Sequence, residues 1–150
     1  MTPTLLGRWQ TRLLLFVIVG IPVTWWWTEV LATRDGGRSL VPAGIIVTIL
    51  LVGLALDWVY VRLHKRHWDH DWPFAYQLAS MIFEFIVVLV LIHFGLVPWL
   101  PSGILYFPQA VWDATRHFAA VLVPAFLLLL GPLQTFLVRW RFKGGELGRM

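Results

Sequence analysis

The sequence contains no cysteine, which excludes disulfides, thiolate metal sites and cysteine nucleophiles. Charge is scarce as well, because Lys, Arg, Asp and Glu make up 13% of the residues, whereas an average soluble domain carries roughly 25%. Hydrophobic residues account for 59% of the chain, and ten residues are tryptophan, which gathers at membrane interfaces. This composition excludes an ordinary soluble domain and indicates an integral membrane protein.

Sequence motifs of enzymes are also missing. No HExxH sequence and no glycine-rich phosphate loop occurs. The later part of the chain has Ser80 and Ser102 as its only serines, and neither lies in a GxSxG or SxxK pattern. The sequence therefore favours a non-enzymatic protein, and we predict no cofactor.

Four apolar segments are long enough to cross a membrane as helices, since about 20 residues at about 1.5 Å each cover a hydrocarbon core of about 30 Å. We predict spans at residues 11–31, 42–63, 76–97 and 115–138. No small-residue cleavage site follows the first segment, which therefore reads as a retained span and not as a signal peptide. The predicted fold is an all-α integral membrane protein in which residues 1–150 form a single domain of four transmembrane helices.

Proline and small residues add detail to these helices. Pro22 lies inside the first segment and is expected to kink it. Gly44, Thr48 and Gly53 in the second segment favour close helix approach. Between the third and fourth segments, residues 98–112 hold three prolines, two tryptophans and no charged residue. That composition predicts a segment that lies in the membrane interface.

Basic residues predict the orientation. Nine lie at the N-terminus, in the central loop and in the tail: Arg8, Arg12, Arg62, Lys65, Arg66, Arg139, Arg141, Lys143 and Arg149. Three lie on the other side: Arg34, Arg38 and Arg116. The positive-inside rule then places both termini and the loop 64–73 in the cytoplasm.

Six of these basic residues flank the spans closely enough to contact anionic lipid headgroups: Arg62, Lys65, Arg66, Arg139, Arg141 and Lys143. The tail also holds Trp140 and Phe142, a basic and aromatic mixture that nucleic-acid-binding proteins share. Directly after a span, this mixture is better explained as an anchor to the cytoplasmic leaflet. We predict the lipid bilayer as a partner and no nucleic acid.

Glu84 lies near the middle of the third segment, where an ionisable side chain needs a partner or water. If the second and third segments pack as an antiparallel hairpin, helical spacing aligns one polar seam: Glu84, Asp57, Ser80, Gln77, Tyr60 and His64. The seam is either a proton or cation path, or a hydrogen-bonded helix–helix contact with Glu84 protonated. No basic residue of the chain is expected at that depth, so a salt bridge would need a partner chain.

The loop after the second segment holds possible metal ligands: His64, His67, Asp69, His70 and Asp71. Their spacing matches no metalloenzyme motif, and the interleaved Lys65 and Arg66 favour a loop that faces lipid headgroups. We therefore predict no metal site and keep these residues as weak candidates.

His93 and His117 are expected at similar depths in the third and fourth spans. They could be axial haem ligands on facing helices, or each could hydrogen-bond backbone or water. Arg116, Asp113 and Glu29 could form an ion-pair cluster on the same side of the membrane.

These observations lead to three functional hypotheses. The first is a non-enzymatic accessory or scaffolding subunit of a membrane complex, with other membrane subunits or further copies of itself as partners. The second is an oligomeric proton- or cation-conducting protein that uses Glu84 and Asp57. The third is a b-type haem carrier that uses His93 and His117.

Overall fold

A computed structural model of the chain describes residues 5–64, 74–101 and 103–133, without the side chains of residues 64, 74 and 75. Four helical stretches in it are long and apolar enough to cross a membrane: Leu5–Asp35, Val41–Leu63, Tyr76–His93 and Pro108–Leu130. Over these residues the prediction of an all-helical fold with four potential spans is therefore confirmed.

The first stretch is one continuous helix with a widened turn. It consists of α1 (Leu5–Leu15), a π-helical turn (Phe16–Gly20) and α2 (Ile21–Asp35). At the end of the π-helical turn, the backbone N–H of Ile21 donates to the carbonyl of Phe16. The turn lies directly before Pro22, which has no N–H and whose ring would collide with a carbonyl in a regular helix. A π-helical turn of this kind is a known cause of helix bending.

The next two spans are α3 (Val41–His64) and α4 (Phe74–His93). The link from α2 to α3 begins at Gly36, which has a left-handed φ of 75° and donates its N–H to the Ala32 carbonyl at 3.0 Å. Such a glycine ends a helix because it adopts this conformation without a Cβ clash. Pro42 lies in the first turn of α3, where its missing N–H is not needed.

The predicted interfacial segment, residues 98–112, is divided in the structure: residues 94–107 form a connection, and the residues from Pro108 onward belong to the next helix. The connection contains a 3₁₀ turn at Ile104–Tyr106, and α5 (Pro108–Leu130) follows directly, so this helix begins well before the predicted position 115. Pro108 explains the early start, because proline is favoured in the first helical turn.

The same connection packs back onto α3. The Trp99 indole N–H donates to the Thr48 hydroxyl at 3.0 Å. A Cβ at Gly44 would lie 3.2 Å from Leu100 Cγ, so the absence of a side chain there allows this approach. Gly44 and Thr48 thus allow the connection to pack against one end of α3, whereas the sequence predicted that they favour packing between helices.

Two groups of buried apolar side chains hold the bundle together. The first joins the α1–α2 helix to the end of α5: Leu15, Val19, Ala125, Leu129 and Leu133. The second joins α3, α4, the connection and α5: Ile45, Val88, Ile92, Val97 and Ala114. Many other large apolar side chains are exposed, including Trp25, Ile86 and Leu127, as expected for helices that face lipid.

Candidate functional site

Four charged side chains meet inside the bundle and are called the ion cluster here. Arg8 and Arg12 come from α1, Asp57 from α3 and Glu84 from α4. Asp57 is 1% exposed and Glu84 is 0% exposed, so both carboxylates are removed from solvent and lipid. The ion cluster therefore joins three helices through two buried carboxylates and two guanidinium groups that are mostly buried.

The Arg12 guanidinium is the centre of the ion cluster. Its Nε and Nη2 donate to the Asp57 carboxylate at 2.7 and 3.1 Å. Its Nη1 and Nη2 donate to the Glu84 carboxylate at 2.7 and 2.6 Å. These bonds use four of the five guanidinium N–H groups, and paired bonds of this kind are the strongest that arginine makes with carboxylates. Arg8 adds a longer bond to Asp57 at 3.3 Å.

The charges of the ion cluster balance, because two guanidinium groups face two carboxylates. Burying an ion costs several kcal/mol unless a partner and further hydrogen bonds compensate it. In the ion cluster every charged group has an oppositely charged neighbour from another helix. The arrangement therefore stabilises one particular packing of α1, α3 and α4.

Gly53 makes room for this arrangement. A Cβ at this position would collide with Arg12 Nη1, would lie 2.7 Å from Arg12 Cζ, and would lie 2.9 Å from Glu84 Oε2. Gly53 is one helical turn before Asp57 on α3, so the bare backbone faces the guanidinium beside that carboxylate. Any larger residue would displace Arg12 from its position between the two carboxylates.

The expectation that no basic residue reaches this depth is wrong. The first helix begins at Leu5 and not at residue 11, so Arg12 lies about two turns inside the helix and not in its first turn. A signal for this was present in the sequence. Arg8, Arg12, Leu15 and Val19 are spaced by four, three and four residues, which places both arginines on the face that carries the buried Leu15 and Val19.

The other members of the predicted polar seam have different surroundings. Tyr60 is buried on α3, one turn from Asp57. The Ser80 hydroxyl donates to the Gln77 carbonyl at 2.8 Å, which is a bond within α4. The side chain of His64 lies outside the described residues. The structure thus brings Glu84 and Asp57 together through Arg12, a residue that the sequence analysis had not placed in the seam.

The two candidate haem ligands have separate neighbours. His117 on α5 is 2% exposed, its Nε2 lies 2.9 Å from the Thr24 hydroxyl of α2, and its ring stacks with that of Trp27. His93 is exposed at the end of α4, and its ring contacts the edge of Tyr106 with centroids 5.4 Å apart. A haem held by the two histidines stays a prediction.

An ion-pair cluster does lie at the other end of the α1–α2 helix. Arg34 donates to Asp35 at 2.7 Å and to both Asp113 carboxylate oxygens at 2.8 and 3.1 Å. We call these three residues the Arg34 cluster. Arg116, which the sequence analysis paired with Asp113 and Glu29, instead lies over the Trp112 ring at 4.8 Å.

The helices of the described part of the chain enclose at least two cavities. The first has a volume of about 100 Å³, and its lining is apolar except for Arg12, Glu84 and His117. The second has a volume of about 200 Å³ and extends from His117 to the Arg34 cluster. His117 therefore forms part of the wall of both cavities.

Several predicted sites fall outside the described residues. They are the loop and tail positions Lys65, Arg66, His67, Asp69, His70, Asp71, Arg139, Arg141 and Lys143. Arg62 is described: it is exposed, and its guanidinium lies 3.3 Å from the centroid of the Trp58 ring. Within residues 5–64, 74–101 and 103–133, no group of three or more His, Asp or Glu side chains is placed to hold a metal ion.

Comparisons of the chain with protein-family models, with curated proteins and with solved structures find no match.

Proposed function

We propose that this protein is a non-enzymatic accessory or scaffolding subunit of a membrane complex. The observation that carries the proposal is the pairing of Glu84 and Asp57 with Arg12 of the same chain. Intramembrane carboxylates commonly bind a transported ion or take part in proton transfer. Here each accepts bonds from an internal guanidinium, which favours a role in holding α1, α3 and α4 in a fixed arrangement.

The exposed surface supports partners within the bilayer. Trp25 and Trp26 are 68% and 58% exposed on α2, and Tyr106 and Phe107 are 68% and 71% exposed in the connection 94–107. Aromatic side chains of this kind anchor a helix at the membrane interface and are also enriched in contacts between proteins. We infer that part of this surface contacts other membrane subunits or a second copy of the chain.

We also propose the orientation that the basic residues indicate, with both termini and the loop 64–73 in the cytoplasm. Arg8 and Arg12 belong to the ion cluster and no longer count as flanking charges. Without them, seven basic residues remain on the proposed cytoplasmic side and three on the other. The bias that sets orientation therefore persists. The connection 94–107 would then lie at the opposite interface, with Trp99 and Tyr106 as anchors.

The native mass of the complex tests the accessory-subunit proposal. The protein is extracted gently from its own membranes, and its assembly is sized and its polypeptides are identified. We expect other polypeptides at fixed stoichiometry. A clean multiple of 17.3 kDa, the mass of one chain, would contradict the proposal.

A second candidate function is proton or cation conduction through Glu84 and Asp57. The observation that favours it is that Glu84 lines the first cavity together with Arg12 and His117, so a buried carboxylate faces space inside the bundle. Proteoliposomes that contain the full chain test this function. We expect Glu84→Gln to abolish a pH-dependent flux, and an unchanged flux would exclude a conducting role for Glu84.

A further inference from the structure

Polar groups are spread along the α1–α2 helix over a distance comparable to a bilayer core. At about 1.5 Å per residue, Thr24 lies about 18 Å from Arg12 along the helix, and Arg34 lies about 15 Å further on. The sum of about 33 Å is close to the hydrocarbon thickness of about 30 Å. The ion cluster and the Arg34 cluster are thus separated along this helix by about the thickness of a bilayer core, with Thr24 and its partner His117 between them.

The two cavities occupy the intervals between these three levels. The first extends from Arg12 and Glu84 to His117, and the second from His117 to Arg34 and Asp113. His117 lines both. His117 is 2% exposed and Glu84 is 0% exposed, whereas Arg12 is 20% exposed and Arg34 is 45% exposed.

We propose that the two cavities are successive halves of a hydrated proton path through the bundle, and that His117 is the relay that joins them. The inference rests on the second candidate function, proton or cation conduction, and names its route and its ion. A water molecule occupies about 30 Å³ in the liquid and needs several polar partners when buried. Volumes of about 100 and 200 Å³ are large enough for water, and its polar partners lie at the ends of the cavities: Arg12, Glu84 and His117 in the first, and His117, Arg34, Asp35 and Asp113 in the second.

The chemistry of the relay is a balanced exchange of protons. Imidazole accepts a proton at one ring nitrogen and releases the proton held on the other, so the ring returns to a neutral form. The Nε2 atom lies 2.9 Å from the Thr24 hydroxyl, which accepts one proton as it donates another. A rotation of the ring, or proton exchange at both nitrogens, restores the starting tautomer before the next transfer.

The groups around His117 favour protons over metal cations. Across the first cavity it faces Arg12 of α1 and Glu84 of α4; across the second it faces Arg34 and Asp35 of α2 and Asp113 of α5. The α3 residues that line these cavities are apolar: Val41, Pro42, Ile45, Ile46, Ile49 and Leu50. At the relay itself, the hydrogen-bonding groups in contact are one imidazole and one hydroxyl. These are too few oxygen ligands to replace the hydration shell of Na⁺ or K⁺.

The test uses the full chain in liposomes, with proton entry driven by a valinomycin-imposed potassium potential and followed with a pH-sensitive dye. We expect the wild type to admit protons and His117→Asn to reduce the rate by about tenfold or more, because the amide cannot exchange protons as imidazole does. His93→Asn is the matched control, since His93 is exposed and lines neither cavity, and it should retain the wild-type rate. Sodium entry, followed with a sodium-sensitive dye, should be absent.

Two further variants keep the test decisive if His117→Asn fails to fold. Val121→Phe fills the first cavity and Ala110→Phe fills the second, and neither changes His117. Each should slow proton entry. No proton entry with the wild type would reject conduction altogether, together with the second candidate function. Wild-type entry that is unaffected by these three substitutions, or sodium entry at a similar rate, would reject the His117 route alone.

Discussion

Arg12 and Glu84 lie 72 positions apart in the sequence and meet in a two-point contact with bonds of 2.6 and 2.7 Å. The guanidinium comes from α1 and the carboxylate from α4, and the bare backbone of Gly53 on α3 lies beside both groups. A charged contact thus fixes the relative positions of three helices in a bundle that is otherwise held by apolar packing.

Glu84→Gln should destabilise the fold, because it removes one negative charge from a balanced ion cluster and leaves an excess positive charge inside the bundle. Breaking a buried ion pair in this way costs about 3–5 kcal/mol. Reversible unfolding in mixed micelles, followed by tryptophan fluorescence, measures the change. Glu29→Gln is the control, since Glu29 is 41% exposed and pairs with Arg38 outside the ion cluster. Equal stability of the two variants would contradict this role of Glu84.

Replacing both partners should be less harmful than the single changes suggest. The double variant Arg12→Leu with Glu84→Leu removes one charge of each sign and leaves Arg8 beside Asp57. Removing a whole buried pair can be nearly neutral, whereas removing one partner is not. We expect the loss of stability in the double variant to be smaller than the sum of the two single losses. A double-mutant cycle measures this difference, and simple additivity would show that the two residues are not coupled.

Gly53→Ala should weaken the bundle even though it adds a single methyl group. The methyl group would occupy the space next to Arg12 Cζ and Glu84 Oε2, so the guanidinium must shift. Overpacking of this kind costs about 1–3 kcal/mol. Gly37→Ala is a matched control, because a Cβ at Gly37 meets nothing within 4 Å. If both substitutions have the same effect on unfolding, the close approach at Gly53 has no energetic consequence.

Thr24→Val should cost about 1–3 kcal/mol, because it leaves His117 buried without its hydroxyl partner. Valine has nearly the shape of threonine, so the change isolates the hydrogen bond of 2.9 Å between the two side chains. Thr33→Val serves as the control, since the Thr33 hydroxyl is exposed and donates to a carbonyl of its own helix. The comparison again uses the free energy of unfolding in mixed micelles, and similar losses in both variants would argue against a specific Thr24–His117 contact.

The absence of cysteine makes the proposed orientation directly measurable. Single cysteines are introduced by Gly37→Cys, in the link between α2 and α3, and by Gly145→Cys, in the tail. A membrane-impermeant maleimide should label Gly37→Cys in intact cells and Gly145→Cys only after the membrane is opened, as the positive-inside rule requires. The reverse pattern would invert the proposed orientation.

The boundaries of the first span show where sequence reasoning stopped short. The sequence predicts that Arg8 and Arg12 flank the membrane, because an isolated arginine inside a span is energetically costly. That cost depends on the partner, and the partners Asp57 and Glu84 lie 45 and 72 positions away from Arg12. Helical spacing places Arg8 and Arg12 on the same face as Leu15 and Val19, which the sequence alone shows. That this face is buried against carboxylates depends on the neighbouring helices.

The helical class and the number of potential spans follow from the amino-acid sequence alone. Hydropathy and length suffice for this, because a segment in lipid must satisfy its own backbone hydrogen bonds and does so as a helix. The pairing of the buried charges, the approach of Gly53 to Arg12 and the position of His117 between two cavities emerge from the packing of the helices. These features depend on side chains that meet from different helices, and no local pattern records which residues come within hydrogen-bonding distance after packing.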